Sequence, residues 1–101
     1  MAPIEPNADY DKLNGILNLS GPGFYLQIHI SPDELEPLAE VEGASWEQRT
    51  SIKAGQSLGK PVFWCRSRED PTAVTVLVGP DDETWELALE VPVAVVLAAL
   101  S

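Results

Sequence analysis

The sequence predicts a single α+β domain, residues 1–101, in which short helices pack on a small antiparallel sheet. Alternation of apolar and polar residues over 24–30 indicates one strand with a buried face. Three further extended segments between residues 61 and 91, separated by turn-forming residues, indicate an antiparallel meander. With 101 residues, 45% of them hydrophobic, the chain is long enough to bury one core without disulfide or metal support.

The first third of the chain is predicted to form an extended lead-in, a helix, a strand and a second helix start. Residues 1–7 contain two prolines and lack the positive and apolar regions of a secretory signal. A helix is predicted over 8–18 from apolar residues at helical spacing, namely Tyr10, Leu13, Ile16 and Leu17. The strand 24–30 follows. Ser31, Pro32 and Glu34 then form a capping pattern that begins a helix, which Pro37 limits to a turn or two.

The remaining segments are predicted to form a helix, the meander and a final helix. A second capping pattern, Ser45-Trp46-Glu47-Gln48, predicts a helix over 45–57. The meander strands are expected within 61–91, at 61–66, 72–79 and 84–91. A helix is predicted over 93–100, although its valines leave a strand possible. Nine of the ten residues from 91 to 100 are apolar, which predicts either a central place in the core or the seam of a homodimer.

The register of the meander decides which tryptophan is exposed. Setting Gly79 opposite Thr84 puts Trp85 on the core side, beside Val78. The preceding hairpin allows two registers, because either Phe63 with Cys65 or Val62 with Trp64 could face the core. We prefer the first, since Phe and Cys are strongly buried residue types. An outward partner-binding patch follows from that choice, consisting of Trp64, Arg66, Glu86 and Glu90. The alternatives are that Trp64 belongs to the core or that a helix covers this face.

Charge is distributed very unevenly along the chain. The net charge is −10, yet the segment 49–68 contains five of the six basic residues and no Asp or Glu: Arg49, Lys53, Lys60, Arg66 and Arg68. An overall negative field opposes binding to nucleic acid or to anionic membranes, so no partner of either kind is expected. A basic protein is the partner that this charge favours.

No catalytic or metal-binding pattern stands out, and no cofactor is expected. The sequence therefore predicts a small acidic non-catalytic protein-binding domain, such as an immunity protein, antitoxin or other inhibitor, or an adaptor, for a basic protein. The alternative is a small enzyme or ligand-binding subunit that recognises an anionic small molecule through Lys53, Lys60, Arg66 and His29. Cys65 is the single cysteine, so no intramolecular disulfide can form, which fits a reducing, cytoplasmic location.

Overall fold

The computed structural model describes residues 7–21, 23–48, 50–81 and 83–100 and confirms the α+β class. Each strand pairs antiparallel with the next along the chain, giving one seven-stranded sheet. The strands are β1 (Asn7–Asp11), β2 (Ile16–Gly21), β3 (Phe24–His29), β4 (Ile52–Ser57), β5 (Lys60–Arg66), β6 (Ala73–Val78) and β7 (Leu87–Pro92). The helices are α1 (Pro32–Leu38) and α2 (Val93–Leu100), and a 3₁₀ turn covers Val41–Gly43.

The predicted helix over 8–18 is wrong, because this segment forms the β1–β2 hairpin. Gly15 takes a left-handed φ of +66°, and the Asp11 carboxylate accepts a hydrogen bond from the Leu13 N–H at 3.0 Å. Both features reverse the chain direction. Tyr10 therefore pairs with Leu17 across the hairpin, while Leu13 at its tip is 96% exposed. The lead-in predicted for residues 1–7 lies outside the described residues except for Asn7, which begins β1.

The predicted strand over 24–30 and the helix start at Ser31 are confirmed. In β3, Leu26 and Ile28 are buried and the side chains between them are exposed. The Ser31 N–H donates to Glu34 Oε1 at 3.1 Å, which completes the capping pattern of α1. Glu34 also reaches across to β4, where its Oε2 accepts a hydrogen bond from the Gly55 N–H at 2.7 Å. This carboxylate therefore ties α1 to the sheet.

The predicted helix over 45–57 is also wrong. The Gln48 N–H donates to Ser45 Oγ at 3.3 Å, so the capping pattern forms one turn, but the chain then enters β4. The pairing of β4 with β5 shifts between Lys53 and Gln56, where Gly55 has a φ of +85°. A bulge of this kind bends the strand and leaves its local backbone groups outside the regular ladder.

The predicted meander over 61–91 is confirmed in its strand order, but both predicted registers are wrong. Val78 pairs with Leu87 instead of Trp85, which is a shift of two residues. Because the shift is even, the side chains of β7 stay on the predicted faces of the sheet. In the preceding hairpin, Trp64 pairs with Val76. This is one residue away from the preferred register, so every side chain of β5 faces the opposite side from the one expected.

The core lies on one face of the sheet and is closed by α2. This helix contacts β1, β6 and β7, and Val96 on it is fully buried. The predicted helix over 93–100 is confirmed. It packs on the core, which was one of the two places predicted for residues 91–100; the other was the seam of a homodimer. The homodimer stays a prediction.

Candidate functional site

The outward placement predicted for Trp64 is wrong. Its side chain has no exposed surface and lies in the core. The indole N–H donates to the Ala54 carbonyl oxygen at 2.9 Å, so the bulged strand β4 supplies the acceptor that a buried tryptophan needs. The opposite face of β5 carries Cys65, which is only 3% exposed. Burial of Cys65 therefore did not require that it face the core, and Trp64 cannot contact a partner in this fold.

The other three residues of the predicted patch are exposed but do not lie together. Glu86 forms an ion pair with Lys60, and Glu90 Oε1 accepts a hydrogen bond from Ser67 Oγ at 2.7 Å. Arg66 pairs with Val74 at one end of β6, whereas the Glu86 N–H bonds to the carbonyl of Val78 at the other end. Four residues of strand separate these points, about 13 Å.

The structure also separates the residues predicted to bind an anion. Lys60 and Arg66 stand at opposite ends of β5, six residues or about 20 Å apart. Lys53 lies opposite Phe63 in the middle of the sheet, and His29 pairs with Gln56 on β4. The distance between Lys60 and Arg66 is too long for one small anion to contact both, and Arg49 lies outside the described residues.

A groove on the outer face of β5, β6 and β7 is the candidate site at which aromatic side chains converge. Two tryptophans from separate loops flank it, with ring centroids 6.5 Å apart and ring planes at 86°. This edge-to-face arrangement is one that aromatic pairs prefer. The volume is about 220 Å³. We call this the outer groove, and the residues that line it are Trp46, Cys65, Arg66, Arg68, Thr75, Leu77, Trp85 and Ala88.

Local hydrogen bonds hold the Trp46 loop in place. The Thr50 N–H donates to the Ser45 carbonyl oxygen at 2.8 Å, and the Ser45 N–H donates to Thr50 Oγ1 at 2.7 Å. The Arg66 N–H donates to the Ala44 carbonyl oxygen at 3.0 Å, which fastens the start of the loop to the end of β5. These bonds close the loop over the sheet and fix Trp46 beside the groove.

A capped turn positions Trp85 on the other side. The Asp81 carboxylate accepts hydrogen bonds from the Glu83 N–H at 2.8 Å and from the Thr84 N–H at 2.7 Å, and these bonds lower the pKa of Asp81. Gly79 lets the returning chain pass, because a Cβ there would lie 2.6 Å from the Trp85 Cα. The turn therefore extends beyond Thr84, and Trp85 stays outside β7 with 43% of its surface exposed.

The two arginines of the outer groove have different surroundings. Arg68 Nε lies 2.7 Å from a Glu47 carboxylate oxygen, and its guanidinium carbon lies 5.8 Å from the Trp46 ring centroid. Arg68 is therefore held by an ion pair and a cation–π contact. The Arg66 side chain is exposed, lies at the edge of the same face of β5 as Trp64, and makes no ion pair with another described residue. No carboxylate lines the groove itself.

Sequence reasoning missed Trp46, Trp85 and Arg68 as site residues. Trp46 was assigned to a helix and Trp85 to the core side of a strand. The signal that could have placed Trp85 is the pattern Asp81 to Thr84, which is typical of a side-chain-capped turn and delays the start of the next strand.

Comparison with protein family models, with curated proteins and with solved structures finds no match for this chain. In the described ranges, no three His, Cys, Asp or Glu side chains are grouped so that they could hold a metal ion. Neither of the two described helices has the length and apolar character needed to cross a membrane.

Proposed function

We propose that this protein is a non-catalytic domain that binds a basic protein, as an immunity protein, antitoxin or other inhibitor does, or as an adaptor. The observation that carries the proposal is an exposed surface of carboxylates on α1, on the 3₁₀ turn and between them, none of which forms an ion pair with another described residue. We call it the acidic surface, and its residues are Asp33, Glu36, Glu40 and Glu42.

The acidic surface is available to a partner. Its four side chains are exposed, and none of them bonds to another residue of the described chain. Leu38 and Val41, which are fully buried, fix the backbone that carries them. Glu34 differs from its neighbours, because it turns inward to Gly55. The four carboxylates of the acidic surface therefore neither cap a helix nor form an ion pair with the described residues. This supports a role in binding a partner instead of in stabilising the fold.

Three of the five basic residues of the segment 49–68 act on carboxylates of this chain. Lys60 and Arg68 are paired with Glu86 and Glu47, and the charge of Lys53 acts on Glu34. A protein with net charge −10 attracts a positively charged surface over a distance near the Debye length. Association with a basic partner is then fast at low salt and slows as salt rises.

The second function class, an enzyme or ligand-binding subunit that uses Lys53, Lys60, Arg66 and His29, has less support. These four residues lie on different strands or at different ends of a strand, so one small anion could not contact all of them.

The test uses a matched pair of charge variants. The immobilised protein is exposed to native cell extract at low and high salt, and association rates are then measured with the recovered basic protein. Glu36→Gln with Glu40→Gln removes two charges from the acidic surface. Asp9→Asn with Glu69→Gln removes two exposed charges elsewhere and serves as the control. We expect the first variant to lose several-fold more association rate than the second.

Two outcomes would overturn the proposal. One is recovery of no basic protein at either salt concentration. The other is an equal loss of association rate in the two variants, which would mean that net charge acts without a defined surface.

A further inference from the structure

A second groove lies at one end of the core face, between the 3₁₀ turn and the start of α2. We call it the end groove. Its volume is about 520 Å³, and small-molecule sites typically measure about 300–1,000 Å³. Val41 and Val74, which are buried, lie at its base, and Pro71, Pro92 and Val93 extend the apolar lining. This lining suits an aliphatic side chain.

Backbone hydrogen bonds hold both sides of the end groove in place. The Val93 N–H donates to the Thr72 carbonyl oxygen at 2.9 Å, which fixes the first turn of α2 beside the chain that leads into β6. On the other side, the Arg66 N–H donates to the Ala44 carbonyl oxygen at 3.0 Å, which joins the end of β5 to the 3₁₀ turn. The fold therefore forms the groove before any ligand binds.

Arg66 and Glu42 bring opposite charges to the end groove. Arg66 pairs with Val74, and paired residues of an antiparallel sheet point to the same side, so the Arg66 side chain leaves the sheet on the core face. Glu42 lies on the 3₁₀ turn, two residues before Ala44, whose carbonyl oxygen accepts the hydrogen bond from Arg66. Both Arg66 and Glu42 line the groove.

Neither of these two charges is neutralised by another described residue. Arg66 and Glu42 are both exposed, and they form no ion pair with each other or with the rest of the described chain. A guanidinium binds a carboxylate through two parallel hydrogen bonds, and a carboxylate accepts hydrogen bonds from an ammonium group. The groove can therefore hold a ligand that carries one charge of each sign.

We propose that the end groove binds a free amino acid with an aliphatic side chain. The α-carboxylate of the ligand pairs with Arg66, its α-ammonium group pairs with Glu42, and its side chain packs on Val41 and Val74. The end of a peptide carries only one of these two charges, so a free amino acid is the ligand that satisfies both. The proposal does not depend on a basic protein partner, although Glu42 belongs to the acidic surface as well as to the end groove.

The test compares probes that share a leucine side chain and differ in charge. They are L-leucine, N-acetyl-L-leucine, which keeps only the carboxylate, and L-leucinamide, which keeps only the ammonium group. Each is titrated up to millimolar concentration while backbone amide chemical shifts are followed. We expect saturable binding of leucine, about tenfold tighter than that of either singly charged probe. Glycine keeps both charges without the side chain, and it should bind about tenfold more weakly than leucine.

Two charge variants assign the contacts. Arg66→Gln should weaken the binding of leucine and of N-acetyl-L-leucine about tenfold but should not weaken that of leucinamide, which has no carboxylate. Glu42→Gln should weaken the binding of leucine and of leucinamide about tenfold but should not weaken that of N-acetyl-L-leucine. Lys53→Gln and Glu40→Gln are the matched controls, because each removes one exposed charge outside the groove, and neither should weaken any probe.

Urea unfolding of each variant verifies that it is folded. The proposal fails if leucine does not saturate the protein, if a singly charged probe binds as tightly as leucine, or if Arg66→Gln and Glu42→Gln behave like their controls. These titrations contain no protein partner, so such a failure would leave the proposed binding of a basic protein unaffected.

Discussion

Trp64 and Trp85 provide a direct test of the register, because the structure gives them opposite roles. Trp64 is fully buried, and its N–H bonds to the Ala54 carbonyl. Trp64→Ala removes that packing and leaves the carbonyl without its partner, so we expect a loss of about 4–5 kcal/mol of unfolding free energy. Trp85 keeps 43% of its surface exposed, and Trp85→Ala should cost about 1 kcal/mol.

The assay is urea unfolding followed by circular dichroism, with thermal unfolding as a second measurement. A domain of this size has about 5–15 kcal/mol in total, so Trp64→Ala should be barely folded, whereas Trp85→Ala should stay well folded. Trp64→Phe keeps a ring but loses the hydrogen bond, and it should fall between them at about 1–3 kcal/mol. If Trp85→Ala is as damaging as Trp64→Ala, the register described for β5 and β6 is wrong.

Four further perturbations test other features of the fold. Gly55→Ala should cost about 3 kcal/mol in urea unfolding, because the new Cβ would lie 2.5 Å from Ile30 Cγ1 at a φ of +85°. Leu58→Asn should raise the melting temperature through a gain of about 0.5–1 kcal/mol, since Leu58 holds a φ of +56° in the turn before β5. Burial opposes ionisation of Glu34, but hydrogen bonds from Gly55 and Ser31 outweigh it and lower its pKa below the ordinary 4.5. The stability contributed by Glu34 is therefore complete above pH 4.5 and is lost as pH falls through the lowered pKa, so the deficit of Glu34→Gln in urea should be large at pH 7 and shrink in acid. Removing α2 should leave no cooperative unfolding transition, because β1 and β7 would lose their shared cover.

Local signals predicted some elements well and others badly, for identifiable reasons. The alternation in β3 and the capping pattern of α1 depend on neighbouring residues, and both were predicted. The first hairpin was missed because Tyr10 and Leu17 also fit helical spacing, although Asn14-Gly15 is a strong hairpin signal. In residues 45–57, the capping pattern was real but ended after one turn. Residues 52–57 form a strand because they pair with β5, and this tertiary pairing outweighs their local preference.

The candidate site could not be found from the sequence because the meander has two apolar faces. Val62 with Trp64 and Phe63 with Cys65 are equally suited to burial, so hydrophobic pattern alone could not distinguish the two registers. The second face carries the outer groove, which is flanked by Trp46 and Trp85 from loops far apart in sequence. Only the folded chain brings them together. The prediction that Arg66 contributes to recognition stays a prediction, now within a different set of neighbours.

The contact between α2 and β1 has a consequence for the order of folding. Every strand pairs with its neighbour in sequence, so the sheet can grow by closing loops that are all far shorter than the whole chain. The α2–β1 contact instead joins segments more than 80 residues apart. Closing so long a loop costs chain entropy, which is repaid only when both sides of the contact exist. A nascent chain should therefore stay sensitive to protease until α2 has left the ribosome, and then become resistant in one step.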